Sequence, residues 1–236
     1  MALIDLKKKT RIVLDKRALP QPPRCRVGLC IDISGSMHNE YQDGLVQETV
    51  DRLLAIAGTF DDNGEMEVWT FNQGYSTPPV ARAADFGSYV RKAILDNPKV
   101  DKWGGTNYAP VMNAVLDTYF RGERVVTSGG LFGLFKKTEQ QAPKDTHIPA
   151  LCLFITDGDN SDAAAAERIL SEAQKYQIYW QLIGIGNDTD FRFIKRMADD
   201  LPNAGFCHFP NLRVSDDAIY EALLTRELCE WLRKLL

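Results

Sequence analysis

The chain has 236 residues, 44% of them hydrophobic and 25% charged, with a formal net charge of −4. That length and balance suit one large α/β domain, or two small ones, with a core that needs no disulfide staples. The mild acidity gives no global electrostatic case for nucleic acid or an anionic membrane surface, and no apolar run approaches the roughly 18 residues of a spanning helix.

Residues 1–19 are basic and amphipathic, and Pro20, Pro22 and Pro23 break the pattern. Residues 1–23 are therefore expected to be a lead-in and proline-rich linker, and 24–236 the main domain. Lys7–Lys9 and Arg11 read as a solvated helix face rather than a nucleic-acid contact. The first residues lack the apolar stretch and cleavage site of a secretory signal, so a cytoplasmic location is expected. Cys25, Cys30, Cys152, Cys207 and Cys229 are odd in number and form no CxxC, which reads as small buried hydrophobes in a reducing compartment. His38, His147 and His208 are too scattered for a zinc site.

Residues 25–33 (CRVGLCIDI) form an apolar, β-branched run, read as a buried strand that ends at Ser34-Gly35-Ser36. Gly35 is expected to permit a tight turn there. Residues 37–60 read as a helix, with Leu45, Val46, Thr49, Val50, Leu53, Leu54 and Ala57 at helical spacing. Asp61–Gly64 is a turn, 67–71 (EVWTF) a strand and 85–95 a helix. Trp103-Gly104-Gly105-Thr106-Asn107 is a glycine-rich loop that opens a helix over 108–120.

The stretch 121–147 lacks periodicity and reads as an irregular insertion. Within it Leu131, Phe132, Leu134 and Phe135 stand beside Lys136 and Lys137. These either fold back on the core or offer an apolar contact to a partner or membrane surface. Residues 148–156 (IPALCLFIT) form a strand ending at Asp157-Gly158-Asp159. A helix capped by Ser161 or Asp162 follows over 163–176, then a strand at 178–186, a helix at 191–201 and a strand at 205–209. A final helix spans 216–236, with Ser215 as its cap.

This alternation of apolar strands with helices predicts an α/β fold, a doubly wound and mostly parallel sheet covered on both faces. Such sheets carry ligands at the carboxyl ends of their strands. Two strands end in the acidic, hydroxyl-bearing turns Asp32–Ser36 and Thr156–Asp159, and Gly104-Gly105-Thr106 opens a helix at a third. Any one of these alone would be an ordinary cap; all three in order point to a site. Asp32, Ser34, Ser36, Thr106 and Asp157 offer two carboxylates and three hydroxyls, with no thiol or imidazole. Hard oxygens of this kind suit Mg²⁺, with Mn²⁺ or Ca²⁺ as the other candidates. With few carboxylates the ion is left under-neutralised and able to take an outside carboxylate.

These residues resemble a known family. Cys30–Met37 (CIDISGSM), Gly104–Tyr108 (GGTNY) and Phe154–Asp159 (FITDGD) are similar to the metal-ion-dependent adhesion site, or MIDAS, of von Willebrand factor A (VWA) domains. The resemblance covers roughly 24–236 and implies a Rossmann-like fold with the metal at the top of the sheet. It implies that Ser34 and Ser36 bind the metal directly, Thr106 directly or through water, and Asp32 and Asp157 largely through water. Asn107 and Asp159 stand beside the motif as supporting candidates. LKKKTRIVLDK, RVGLCIDISGSM, WGGTNYAPVM, LFITDGDN and YWQLIGIG are similar to VWA proteins of the bacterial tellurium-resistance group, which implies stress-related biology.

The function expected is a metal-dependent protein-binding module whose ion captures a Glu or Asp of a partner protein. The alternatives are a Mg²⁺-dependent phosphate hydrolase or a structural subunit with a non-exchanging ion. The hydrolase is disfavoured because the position two after Asp32 is Ser34 rather than a second acid, and because no P-loop or nucleophile-elbow motif occurs.

Overall fold

The computed structural model describes residues 2–61, 63–129, 135–141, 146–186 and 191–236. In chain order the elements are α1 (Leu3–Lys16), β1 (Arg26–Asp32), α2 (His38–Gln42), α3 (Leu45–Phe60), β2 (Glu67–Phe71), β3 (Tyr75–Ser76), α4 (Ala109–Leu116), β4 (Glu123–Gly129) and β5 (Phe135–Gln141). Then come β6 (Ala150–Thr156), α5 (Ala163–Ala173), β7 (Ile178–Ile185), α6 (Arg192–Asp200), β8 (Ala204–Phe209), α7 (Asp216–Leu223) and α8 (Arg226–Arg233).

Six strands form one sheet in the order β3-β2-β1-β6-β7-β8. All neighbours are parallel except the edge pair β2–β3. Strands β6 and β7 are buried at every position, which is why they read as unbroken apolar runs. Their alternate residues serve two cores. Leu151, Leu153, Ile155 and Ile183 face the layer of α1, α3, α7 and α8. Cys152, Phe154, Trp180 and Leu182 face α4, α5 and α6. Each fully buried Leu or Phe in these layers contributes about 2 kcal/mol by leaving water. All five cysteines are free; Cys25, Cys30, Cys152 and Cys229 are buried, and Cys207 is partly so. Among the described residues, no helix is long and apolar enough to cross a membrane.

The structure departs from the sequence reading in several places, among them the helix expected over 85–95, which is confined to Val90–Leu95. The stretch 37–60 is interrupted at Asp43-Gly44, where Gly44 has φ +78° and separates α2 from α3. The final helix is likewise two: the Thr225 hydroxyl accepts the Leu228 N–H at 3.1 Å and starts α8 afresh. The Ser215 cap on α7 is present, accepting the Ala218 N–H at 3.3 Å.

Helix α1, expected to be a lead-in, packs on α3 and α7 and buries Leu6, Thr10, Val13 and Leu14. Lys9 reaches Asp216 and Asp217 of α7 at 3.2 and 3.1 Å, and Arg17 Nε donates to the Leu224 carbonyl at 3.2 Å. Finally, the stretch 121–147 is not irregular throughout: β4 and β5 pair antiparallel as a separate two-stranded ribbon. Leu131, Phe132 and Leu134 of the expected apolar contact lie outside the described residues.

Candidate metal centre

Strands β1 and β6 are neighbours, with Ile31 opposite Ile155. The chain passes from β1 to β2 on one side and reaches β6 on the other, so strand order reverses between them. That switch point is where open α/β sheets carry ligands.

Asp32 closes β1 and is fully buried. Its Oδ1 accepts the Ser34 N–H at 2.7 Å and its Oδ2 accepts the Thr156 hydroxyl at 2.7 Å. Its carbonyl takes the Tyr41 hydroxyl at 3.1 Å. Burial pushes the Asp32 carboxyl up to about 6, against the bonds from Ser34 and Thr156 that favour its charged form. Asp157 is also raised, by burial first, with the Ser36 hydrogen bond opposing and the charge of Glu40 adding to it.

Ser34 Oγ and Ser36 Oγ stand 3.1 Å apart, and Ser36 Oγ donates to Asp157 Oδ1 at 2.9 Å. Ser34 is buried while Ser36 is exposed, so this short chain runs from the sheet edge to solvent. Two further residues complete it that the sequence reading gave no role. Thr156 anchors Asp32, and the Tyr108 hydroxyl donates to Thr156 Oγ1 at 3.1 Å and to the Gly158 carbonyl. The signal for Thr156 stood in its strand-end TDG and that for Tyr108 at the end of GGTNY; nothing local marks Tyr41.

The Thr106 loop joins through its backbone. The Thr106 carbonyl accepts the Ser161 N–H at 3.0 Å, the Gly35 N–H donates to the Gly104 carbonyl at 3.1 Å, and the Trp103 N–H donates to the Ile33 carbonyl at 2.8 Å. The sharp turn falls on Trp103, at φ +66°, rather than on Gly35, where a Cβ would meet only the Trp103 carbonyl at 3.7 Å. The Trp103 ring is braced edge-on by His38 and Tyr41, with centroids 4.7 and 5.6 Å away.

Asp162, expected to cap the helix after it, instead accepts the N–H groups of Tyr108 and Ala109 at 2.9 and 2.8 Å and caps α4. Asn107 ties its loop to the end of β2 through Asn72 and Gln73, and Asp159 is exposed. The structure thus brings Asp32, Ser34, Ser36 and Asp157 together side chain to side chain or through main chain, with Thr106 on an adjoining, tethered loop.

The donor set fits a small hard cation. Among the described residues, no group of three or more His, Cys, Asp or Glu could hold a metal, so any ion here relies on hydroxyls. The Ser34–Ser36 and Ser36–Asp157 separations of 3.1 and 2.9 Å are hydrogen bonds that bring two hydroxyls and a carboxylate to one place.

Comparison with known proteins agrees with this architecture. A family model described as "vWA found in TerF C terminus" matches residues 24–132 and 133–235. The chain is 35% identical over 240 residues to the uncharacterized protein YcbR of Bacillus subtilis (strain 168), spanning 99% of this chain and 88% of that one. Among solved structures it is similar to the SpRpn10 VWA domain, with a TM-score of 0.56 at 13% identity, covering 83% of this chain and 93% of that one. It is also similar to proximal thread matrix protein 1 of the mussel byssus with a zinc-occupied MIDAS motif, with a TM-score of 0.56 at 17% identity, covering 88% and 46%. A von Willebrand factor type A protein of Catenulispora acidiphila gives a TM-score of 0.54 at 17% identity, covering 88% and 42%. The chain thus spans less than half the length of the last two. Sheet order, helical layers and family match agree: this chain belongs to the TerF-like family of von Willebrand A domains.

Proposed function

We propose that this chain is a metal-dependent protein-binding module. Asp32, Ser34, Ser36, Thr106 and Asp157 hold Mg²⁺, and the site captures a Glu or Asp side chain of a partner protein in a bacterial tellurium-resistance or stress-response system. The observation that carries this reading is the hydroxyl–carboxylate chain Ser34–Ser36–Asp157, which gathers hard oxygens at the strand ends and ends at solvent. The zinc-occupied MIDAS of the similar mussel protein supports a divalent ion at this place, and the family name supports the biological setting.

When bound, the ion supplies positive charge to an incoming carboxylate oxygen. The protein's own residues hold and orient. Both oxygens of Asp32 are already engaged, so it sets the Ser34 backbone and contributes negative charge from beneath rather than a free ligand atom. Ser36, at the solvent end, bonds to Ser34 and to Asp157, contacts that can rearrange around an ion. The two carboxylates are too few to fill a coordination shell, which leaves room for a partner's acid. Binding rather than catalysis is the reading preferred, because the residue two after Asp32 is a serine, not a second carboxylate for phosphoryl transfer.

The test is calorimetric titration of Mg²⁺ into wild type, Asp32→Ala and Ser34→Ala, with circular dichroism to confirm folding. Affinity should fall about 10–100-fold in each variant; equal affinity in all three would sink the assignment. Capture of a partner from native lysate should require Mg²⁺ and be lost in chelator and in Asp32→Ala. Capture that survives chelator would make the ion a structural staple.

A further inference from the structure

Trp103 borders a second feature, a groove of about 550 Å³. One wall runs from Tyr41 to the start of α3, and the other is built by Val90, Leu95, Lys102 and Trp103. The groove and the Ser34–Ser36 turn share Trp103 as a neighbour. The Trp103 N–H donates to the Ile33 carbonyl, one residue before Ser34, and the Gly104 carbonyl accepts the Gly35 N–H.

A tryptophan at φ +66° is a rare choice. The left-handed region favours glycine, and two glycines follow at once. No backbone preference puts an indole here. The ring is held edge-on by His38 and Tyr41, is only partly buried, and forms part of the groove wall. Strain of this kind persists where the surroundings fix it, and it clusters at ligand clamps.

Lys102 gives the groove a cation. Its ammonium donates to the carbonyls of Asn97 and Val100 at 2.8 and 2.9 Å. Those bonds fix its position and leave donor capacity unused. Among the described residues no carboxylate pairs with it. The groove's other charges, Arg91 and Asp96, pair with each other at 3.5 Å. An uncompensated, pre-positioned ammonium therefore stands beside the apolar surface of Tyr41, Val90, Leu95 and Trp103. The complement of such a surface is a carboxylate next to an apolar side chain, and the fixed cation lowers the ordering cost of binding it.

We propose that this groove selects the partner. The segment whose acid reaches the metal also seats an apolar side chain against Trp103 and a second acid on Lys102. This rests on the metal-dependent binding reading above. It narrows the ligand from any exposed Glu or Asp to an acidic segment with an apolar residue between two carboxylates.

NMR titration of the full chain in Mg²⁺ with blocked peptides tests this. Acetyl-Glu-amide probes the metal alone. Acetyl-Glu-Phe-Glu-amide, and its forms with one or two glycines before the second Glu, probe metal and groove together. At least one longer peptide should bind about tenfold or more tighter than acetyl-Glu-amide. Lys102→Met keeps the apolar stem and should remove most of that gain, with acetyl-Glu-amide binding unchanged. Trp103→Asn, a residue that tolerates the left-handed backbone, should remove it too. Changing the second Glu of the best peptide to Gln should weaken binding to wild type and add nothing in Lys102→Met, which a merely structural lysine would not produce. Circular dichroism checks that both variants fold. Longer peptides no tighter than acetyl-Glu-amide, or a gain that both variants leave intact, overturn the groove and leave the metal reading standing. Longer-peptide binding that persists in chelator and still falls in Lys102→Met supports the groove and overturns the metal reading. No binding by any peptide overturns both.

Discussion

At the amino end of β1 the Arg26 guanidinium donates to the carbonyls of Ile148 and Tyr119, at 2.7 and 3.2 Å, and lies 4.4 Å from the centre of the Tyr119 ring. At the carboxyl end of the same strand the Asp32 carboxylate accepts from Ser34 and Thr156. Both are charged groups on one strand, engaged by hydrogen bonds, yet they do different things. Arg26 ties the end of the α4 stretch and the start of β6 to the sheet, using carbonyls and aromatic faces. Asp32 is just as fixed, but what it fixes is the base of a chain of hydroxyls whose far end, Ser36, is exposed. A hydrogen-bonded charge becomes structural or functional according to what lies one residue beyond its partners.

The comparison can be broken at either end. The largest effect expected is at the amino end. Arg26→Ala removes two charge-assisted hydrogen bonds and a cation–π contact, and should cost about 3 kcal/mol in urea unfolding while Mg²⁺ affinity stays unchanged. A parallel loss of Mg²⁺ affinity would show that the two ends are not separable. Next is Asp162→Ala, which strips the cap from α4 and loosens the Thr106 loop from the Asp157 loop. It should cost about 1 kcal/mol of stability and lower Mg²⁺ affinity about tenfold. A stability loss without any change in Mg²⁺ titration would confine Asp162 to capping.

The smallest effect concerns a charge at neither end. Burial acts to raise the Asp216 carboxyl, and the hydrogen bonds from Arg52 at 2.8 Å and Lys9 at 3.2 Å outweigh it, leaving it below the usual carboxylate range. Its folded pKa is depressed, so its contribution to stability is present above the ordinary carboxylate pKa and lost as pH falls through the depressed value. Melting temperatures of wild type and Asp216→Asn should therefore converge at acid pH and separate at neutral pH. Parallel curves would assign that pair no net role.

Most of the fold was legible because β1, β6 and β7 are buried on both faces and therefore read as continuous apolar runs bounded by turns. The clustering of the candidate site was legible for a related reason: Asp32, Ser34, Ser36 and Asp157 lie within a few residues of strand ends, where spacing and chain direction already constrain them. What escaped the sequence acts across distance. Thr156 and Tyr108 hold the centre through bonds spanning 124 and 48 residues. Asp162 stands directly before α5 yet caps α4, 53 residues back, because the two loops are brought together by the sheet. The breaks at Gly44 and Thr225 escaped because apolar spacing continues on both sides of them. The edge strand β3, only two residues long, carries too little pattern to be seen.

Helix α1 has a consequence for how the chain reaches this state. Its residues are synthesised well before those of α7, and α3, one of the surfaces they cover, emerges soon after them. Their polar ties to α7 and to the residue that follows it, Lys9 to Asp216 and Arg17 to Leu224, each span 207 residues. Loop closure over such separations is entropically costly before any contact rewards it. The α1–α3 pair can therefore assemble before α7 is made, while the seam with α7 must wait for α7, so amides along that seam are expected to gain protection from hydrogen exchange later than those between α1 and α3.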